Sequence, residues 1–419
     1  MKYSSNNYSQ NNIEEFKVRM LNWADRFNIF AFLDSNHYQS TSSNFEWKLA
    51  AGVRQIITTD KENAFAAIKE FHLKHPGWLF GHISYPSVKS DNIGFHHALF
   101  FVPEIIITCS NNSIKIESCE IPAELIYQQI NQFEVPASPS QHKLNFLASI
   151  TQDDYIKFIL KIKNHIQRGD CYELNYCQEF IAQNAVVNPV NLFFQLTAIS
   201  PNPFSALYKN DDKYCICASP ERFISKKNTT VISQPIKGTS KRIHDNIEAD
   251  EFSKNSLLNS SKERSENVMI VDLVRNDLSK IANEGTVKVA ELFGIYSFPQ
   301  VHQMISTITC ETDLNTHWTE IVEATYPMGS MTGAPKKKVM ELTEAYEATP
   351  RGLFSGTIGY ISPNGDFDFN VVIRSIFYNR SKKIISYKAG GGITINSDPL
   401  QEYQETLIKA AAIKEILQA

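Results

Sequence analysis

The chain has no stretch approaching the roughly 20 consecutive apolar residues that a membrane-spanning helix needs. Its first residues, Met1 to Asn12, are polar, rich in Asn and Ser, and lack the apolar centre of a secretory signal. Both absences set the expectation of a soluble, unanchored, cytoplasmic protein. Charge of one sign is also missing. With 41 Lys and Arg against 45 Asp and Glu, the formal net charge is −4, which gives no general attraction for nucleic acid or an anionic membrane. Cysteine is sparse: 7 in 419 residues, with no CxxC pair, which excludes a disulfide framework and fits a reducing compartment. Cys215 and Cys217 flank one residue of an apolar stretch, where strand alternation points both to one face, so packing is expected there and not a metal site. The GxxxxGK[ST] phosphate loop is absent as well.

What is present is a large apolar complement, 42% of residues, enough for one large domain or two coupled ones. The first ~140 residues read as mixed strands and helices, with apolar runs at Ile29–Leu33, Trp78–Ile83 and Ala98–Ile107. A Pro/Ser-rich stretch, Glu134–His142, marks a linker between an N-terminal α+β lobe (1–140) and a second domain (145–419). Beyond it, Thr151 to Asp154 forms a capping box for a helix that Gly169 stops. Strands are predicted at 172–181, 204–208, 214–218 and 230–236, and a helix at 262–281. Pro335 is expected to open another helix. Asn364-Gly365 is the turn of a hairpin between 356–361 and 367–377, and a final helix runs over 399–417. Neighbouring strands, tight turns and flanking helices predict an antiparallel α+β architecture and not a doubly wound nucleotide fold.

Five segments carry candidate chemistry. Ser219-Pro-Glu-Arg222 and Pro235-Ile-Lys-Gly-Thr239 bracket a strand–turn–strand stretch. Lys237 is either an ordinary surface ammonium or a nucleophile; the second reading needs burial to lower its pKa from ~10.4 towards neutrality, because only the free amine attacks carbon. Glu221 would then be a nearby proton donor or acceptor. Glu266 lies in Glu263-Arg-Ser-Glu-Asn267, where acidic residues can also simply favour a helix N-terminus. In Tyr326–Lys338 (YPMGSMTGAPKKK), backbone amides around Thr332 and Gly333 could receive a carboxylate, or the segment is a plain helix entry. Its Lys336-Lys337-Lys338 run reads as a solvated face. Arg374 sits in an apolar strand, VVIRS, and needs an anion from the protein or a ligand. Gly391 and Gly392 belong to Ala389-Gly-Gly-Gly-Ile393, which permits close backbone approach. Glu402, Glu405 and Lys409 share one helix face at i, i+3 and i+7; with Glu266 the carboxylates are either solvent-exposed or an oxygen-only site suited to Mg2+.

These segments, in this order, closely resemble the chorismate-utilising enzyme family over about residues 150–415: GDCYELN, SPERF, PIKGT, ENVMIVDLVRND, GSMTGAPK, the IGY–IRS pair and AGGGI–EYQET. That family includes component I of anthranilate synthase, component I of aminodeoxychorismate synthase, and isochorismate and salicylate synthases. The resemblance implies a four-layer α/β/β/α sandwich of two mostly antiparallel sheets with chorismate between them. It implies Mg2+ at Glu266, Glu402 and Glu405, and substrate carboxylates at Arg374, Lys409 and the backbone near Thr332, Gly333, Gly391 and Gly392. Lys237 points to the aminodeoxychorismate-forming branch, because anthranilate synthases generally have alanine there. In that branch the lysine attacks the ring, the 4-hydroxyl departs with a proton from Glu221, and ammonia then displaces the lysine to put nitrogen at position 4. The ammonia is expected from a separate glutamine amidotransferase subunit, and pyruvate elimination from a separate lyase on the way to 4-aminobenzoate and folate. Anthranilate synthase component I is the alternative within the family. Isochorismate-type enzymes carry a water-activating lysine where this chain has Glu173, which argues against that branch.

Two departures accompany the match. Gln303 stands where many members have a histidine, and His302, one residue off, is expected on the opposite strand face. Anthranilate synthases tend to have tyrosine at the place of Phe354. Their feedback motif of the LLES type has no clear match; the nearest text is Phe32-Leu-Asp-Ser35.

Overall fold

Apolar runs such as Ile29–Asp34, Trp47–Ala51, Leu79–Ile83 and Ala98–Val102 form strands that are buried almost along their whole length, as happens when both faces of a sheet are covered. The computed structural model describes residues 3–38, 45–60, 64–137 and 144–418, so residues 138–142 of the expected linker lie outside the described part. The described strands make a 12-stranded and a 10-stranded sheet, and every described pair is antiparallel. In the first sheet, Ile29–Asp34 pairs with Phe204–Asn210, followed in order by Lys213–Ser219, Ser375–Asn379, Ile384–Ile393 and Glu173–Ala182. In the second, Leu79–Ile83 pairs with Thr357–Ile361, and the order continues through Phe367–Asn370, Arg222–Lys227, Thr230–Gln234 and Val301–Glu311 to Ile236–Lys241. Strands from before and after the linker are therefore hydrogen-bonded neighbours in both sheets.

The sheets face each other across an apolar layer that includes Phe80, Phe101, Tyr208, Ile358 and Phe377. Cys215 and Cys217 both point into it as free thiols, as strand alternation requires. The outer face of the first sheet is covered by helices Ile13–Ala24, Ala123–Asn131, Pro189–Ile199 and Ala411–Gln418. Helices Ala64–Lys74, Ser261–Ser279 and Trp318–Thr325 cover the second. The result is the expected four-layer α/β/β/α sandwich. No helix among the described residues is long and apolar enough to cross a membrane.

Local signals near the linker behave as read. Thr151 caps helix Gln152–Gln167 by accepting from the Asp154 amide, and Gly169 follows it at φ +82°. Three expectations need correction. The strand predicted over 367–377 is two strands, Phe367–Asn370 in one sheet and Ser375–Asn379 in the other. Residues 371–374 cross between the sheets with Val371 and Val372 fully buried, so apolar patterning runs unbroken through a change of sheet. Arg374 thus stands at a crossover, at φ +54°, and not inside a strand. The C-terminal helix is broken at Ala410 into Pro399–Lys409 and Ala411–Gln418. Pro335 is the cap of helix Lys336–Tyr346 and not its first residue.

Candidate active site

Lys237, on the last strand of the second sheet, reaches across to Glu173 on the first and forms an ion pair with its Oε1. Glu173 is wholly buried and Lys237 is 8% exposed. The expected burial of the amine is present; the expected lowering of its pKa is not. Desolvation pulls it down, but the charges of Glu173, Glu266 and Glu221 and the Glu173 hydrogen bond outweigh that, and the net shift is upward. Lys237 is therefore an ammonium in this state, a correction that follows from a carboxylate delivered by the opposite sheet. A side chain at Gly392 would collide with both members of the pair.

Glu221 follows strand Lys213–Ser219 and is buried. Its Oε1 accepts from Ser330 Oγ at 2.6 Å. Burial pushes its pKa up to about 7, against the opposing pull of Ser330 and Lys237. It can hold or release a proton near neutrality. Ser330 belongs to the short helix Gly329–Thr332, whose Thr332 hydroxyl donates to Met328 O at 2.9 Å. Gly333 follows at φ +129° beside Leu174, where a Cβ would strike the Glu173 carbonyl.

The other carboxylates come from two helices. Glu266 projects from Ser261–Ser279, and Glu402 and Glu405 from Pro399–Lys409. A Cβ at Gly391 would lie 3.1 Å from Glu402 Oε2, 3.7 Å from Lys409 Nζ and 3.9 Å from Glu405 Oε1, so the glycine-rich strand forms the floor beneath these groups. Lys262 Nζ sits between two of the acids, 3.9 Å from Glu266 Oε1 and 3.6 Å from Glu402 Oε1. Lys409 pairs with Glu405 at 2.7 Å and donates to Gly390 O at 3.1 Å. Burial raises Glu266 to about 7 and raises Glu402, whereas Lys409 lowers Glu405. As these side chains stand, no three potential ligands among the described residues converge on one point. The chemistry nevertheless suits a hard cation: the donors are all oxygen, Glu266 Oε1 is buried without a hydrogen-bond partner among the described residues, and a lysine ammonium already fills a cation's place.

Arg374 is half-buried and forms no ion pair with any described residue. Burial lowers its pKa while Glu405 opposes that shift. Gln303 and Arg374 line one small cleft, and Gln303 Oε1 is buried without a hydrogen-bond partner among the described residues. His302 faces away, held by Ser297 at 2.8 Å and Asp250 at 3.1 Å. Phe354 is buried in the inter-sheet layer. Leu33, Asp34 and Ser35 line a separate cavity of about 550 Å3 that none of Lys237, Glu221 or Glu266 reaches. Sequence reasoning passed over Ser330 and Lys262, and it used Glu173 only to argue against the isochorismate branch. The available signal was Glu173 itself, a carboxylate at the start of a largely apolar strand.

A family profile for a chorismate binding enzyme matches residues 29–415. Aminodeoxychorismate synthase component 1 of Bacillus subtilis (strain 168) is 36% identical over 274 residues, covering 65% of this chain and 57% of that protein. The corresponding protein of Escherichia coli (strain K12) is 38% identical over 271 residues, 65% of this chain and 59% of that one. The chain thus spans less than two thirds of the length of these relatives. Anthranilate synthase component I from Streptococcus pneumoniae TIGR4 superposes with a TM-score of 0.77 at 25% identity, over 90% of this chain and 93% of that one. With its two antiparallel sheets, its glycine floor and this profile match over nearly its full length, the chain belongs to the chorismate-binding enzyme family.

Proposed function

We propose that the chain converts chorismate and ammonia to 4-amino-4-deoxychorismate, with ammonia delivered by a separate glutamine amidotransferase subunit and a lyase acting afterwards. The product would feed 4-aminobenzoate and folate synthesis. The observation that carries this reading is the buried Lys237, paired with Glu173 where the two sheets meet and within the electrostatic reach of Glu221, whose pKa burial raises to about 7. A lysine there supports covalent displacement, which puts nitrogen at position 4; direct attack by ammonia at position 2 would need no amine from the protein.

In this reading the two carboxylates of chorismate meet Arg374, Lys409 and the backbone at Gly333 and Gly391. Lys237, once deprotonated, attacks the ring. Glu221 in its neutral form gives a proton to the departing 4-hydroxyl, which leaves as water. Ammonia then forms the bond at position 4 and the lysine departs. Glu266, Glu402 and Glu405 would hold Mg2+, which when bound polarises the ring carboxylate and its conjugated system. Seating it requires Lys262 to leave Glu266 and Glu402.

The assay supplies chorismate, Mg2+ and ammonium, with and without an aminodeoxychorismate lyase. The expected outcome is a product that becomes 4-aminobenzoate and pyruvate only when lyase is added. Anthranilate, or pyruvate without the lyase, would overturn the assignment. Lys237→Ala is expected to lower amination at position 4 by at least about tenfold at saturating ammonium; undiminished amination would remove the covalent step.

A further inference from the structure

A cationic Lys237 cannot attack carbon, so something must take its proton before the reaction starts. We propose that Glu173 is that base: it accepts the proton from Lys237 Nζ before attack and returns it once the amine has left. The inference rests on the amination reading above and adds a residue to it. Lys237 is faced by Glu173 on the opposite strand, by Glu221, and by Glu266 with the more distant Glu263 and Glu405. Among the described residues, only Glu173 hydrogen-bonds Nζ. Glu221 is committed to Ser330 and to protonating the leaving hydroxyl, and Glu266 to the cation.

Two features separate a base from a plain counter-ion. A buried carboxylate kept only to balance charge usually has both oxygens hydrogen-bonded. Glu173 is wholly buried, yet its Oε2 has no hydrogen-bond partner among the described residues. A proton can settle on this carboxylate without breaking a bond to any other group. The transfer also leaves the net charge of the pair unchanged. Once substrate excludes water, a neutral amine beside a neutral acid avoids the desolvation cost of two buried ions.

The steps balance. Glu173 carboxylate and Lys237 ammonium become carboxylic acid and free amine. The amine lone pair forms the C–N bond at ring position 2, the C4–O bond breaks, and oxygen leaves as water with the Glu221 proton. Ammonia forms the C4–N bond as the C2–N bond breaks. The lysine departs as a neutral amine and the product carries an ammonium. Glu173 then returns its proton to Lys237, and Glu221 is reprotonated from solvent.

Glu173→Gln and Glu173→Asp, each tested as the full chain, decide the matter, with chorismate binding and circular dichroism confirming the fold. For a base, Glu173→Gln lowers kcat about 100-fold with KM for chorismate within about threefold, because among the described residues no other carboxylate hydrogen-bonds the amine to take its proton. Glu173→Asp, which keeps a proton acceptor, recovers at least about tenfold of that loss. A counter-ion predicts the opposite: Glu173→Gln would free the amine, and rates would be kept or raised with the ascending pH limb moved to lower pH. That result, or an aspartate variant no better than the glutamine one, overturns the proposal. Product identity in the unmodified protein is measured in parallel. If that product is anthranilate or isochorismate, the amination reading itself has failed, independently of either variant.

Discussion

A carboxyl buried between Ser330 and Lys237 is a proton donor at neutral pH only because burial costs its charged form more than both neighbours return. The same imbalance makes Glu221 a stability probe. Its pKa rises from an ordinary 4.5 to about 7 in the folded protein, so its contribution is complete below 4.5 and is lost as pH rises through 7. Glu221→Gln cannot ionise. Its stability relative to the unmodified protein is expected to climb between pH 5 and 8 by on the order of 3 kcal/mol, read from thermal denaturation in Mg2+-free buffer. A difference that stays flat over this range would mean that Glu221 is not held neutral. In turnover, kcat of the unmodified protein should fall above about pH 7, whereas Glu221→Gln should be slow and lack that limb. Lys262 gives a second test. Its ammonium lies between Glu266 and Glu402, so it competes with a divalent cation when free and repels one that is bound. Lys262→Met should therefore tighten Mg2+ binding several-fold by calorimetry without chorismate, and weaker binding would remove Lys262 from the site.

At the scale of elements, the glycine-rich strand Ile384–Ile393 shows which residues local chemistry announces and which it hides. Three consecutive glycines read directly as a close approach, but not as an approach to what. Gly390 lies against the Tyr176 carbonyl, Gly391 against the Glu402 side chain, and Gly392 against the Glu173–Lys237 pair. The three alanine variants should therefore separate. Gly390→Ala meets backbone and should destabilise most, by about 1–3 kcal/mol in chemical denaturation. Gly391→Ala needs only a few tenths of an ångström from Glu402 and should keep near-normal stability. Gly392→Ala should lose activity out of proportion to stability, because it displaces the reactive pair; an active Gly392→Ala would argue that the pair has no part in turnover. The caps, turns and helix faces were legible for the same reason the glycines were, since each is decided by residues a few positions apart. The protonation of Lys237 was not legible. It depends on Glu173, 64 positions away in sequence and on the other sheet. Nor was the crossover at Arg374, because a buried chain passing between two sheets keeps the apolar pattern of a single strand.

For the whole molecule, the decisive pairings are the long ones. Ile29–Asp34 lies directly beside Phe204–Asn210, and Leu79–Ile83 beside Thr357–Ile361. Each join sits inside its sheet, with further strands from the first 140 residues beyond it. Cutting at the expected linker would expose a strand edge in both sheets at once. It would also strip the inter-sheet layer of Phe80, Leu99 and Phe101. Fully burying one such side chain contributes about 1.5–3 kcal/mol, so losing these three is comparable to the 5–15 kcal/mol that typically holds a folded protein together. Long apolar edges left open also invite pairing with other chains. A fragment spanning residues 144–419 is therefore expected to be insoluble or to lack cooperative thermal unfolding, although it contains Lys237, Glu221, Glu266, Glu402 and Glu405. Co-expression with residues 1–143 should restore a soluble complex, because the missing strands dock through backbone hydrogen bonds that need no covalent link. A soluble, cooperatively folded 144–419 fragment that binds chorismate would show that the second segment is a domain in its own right, with the shared sheets an addition to it.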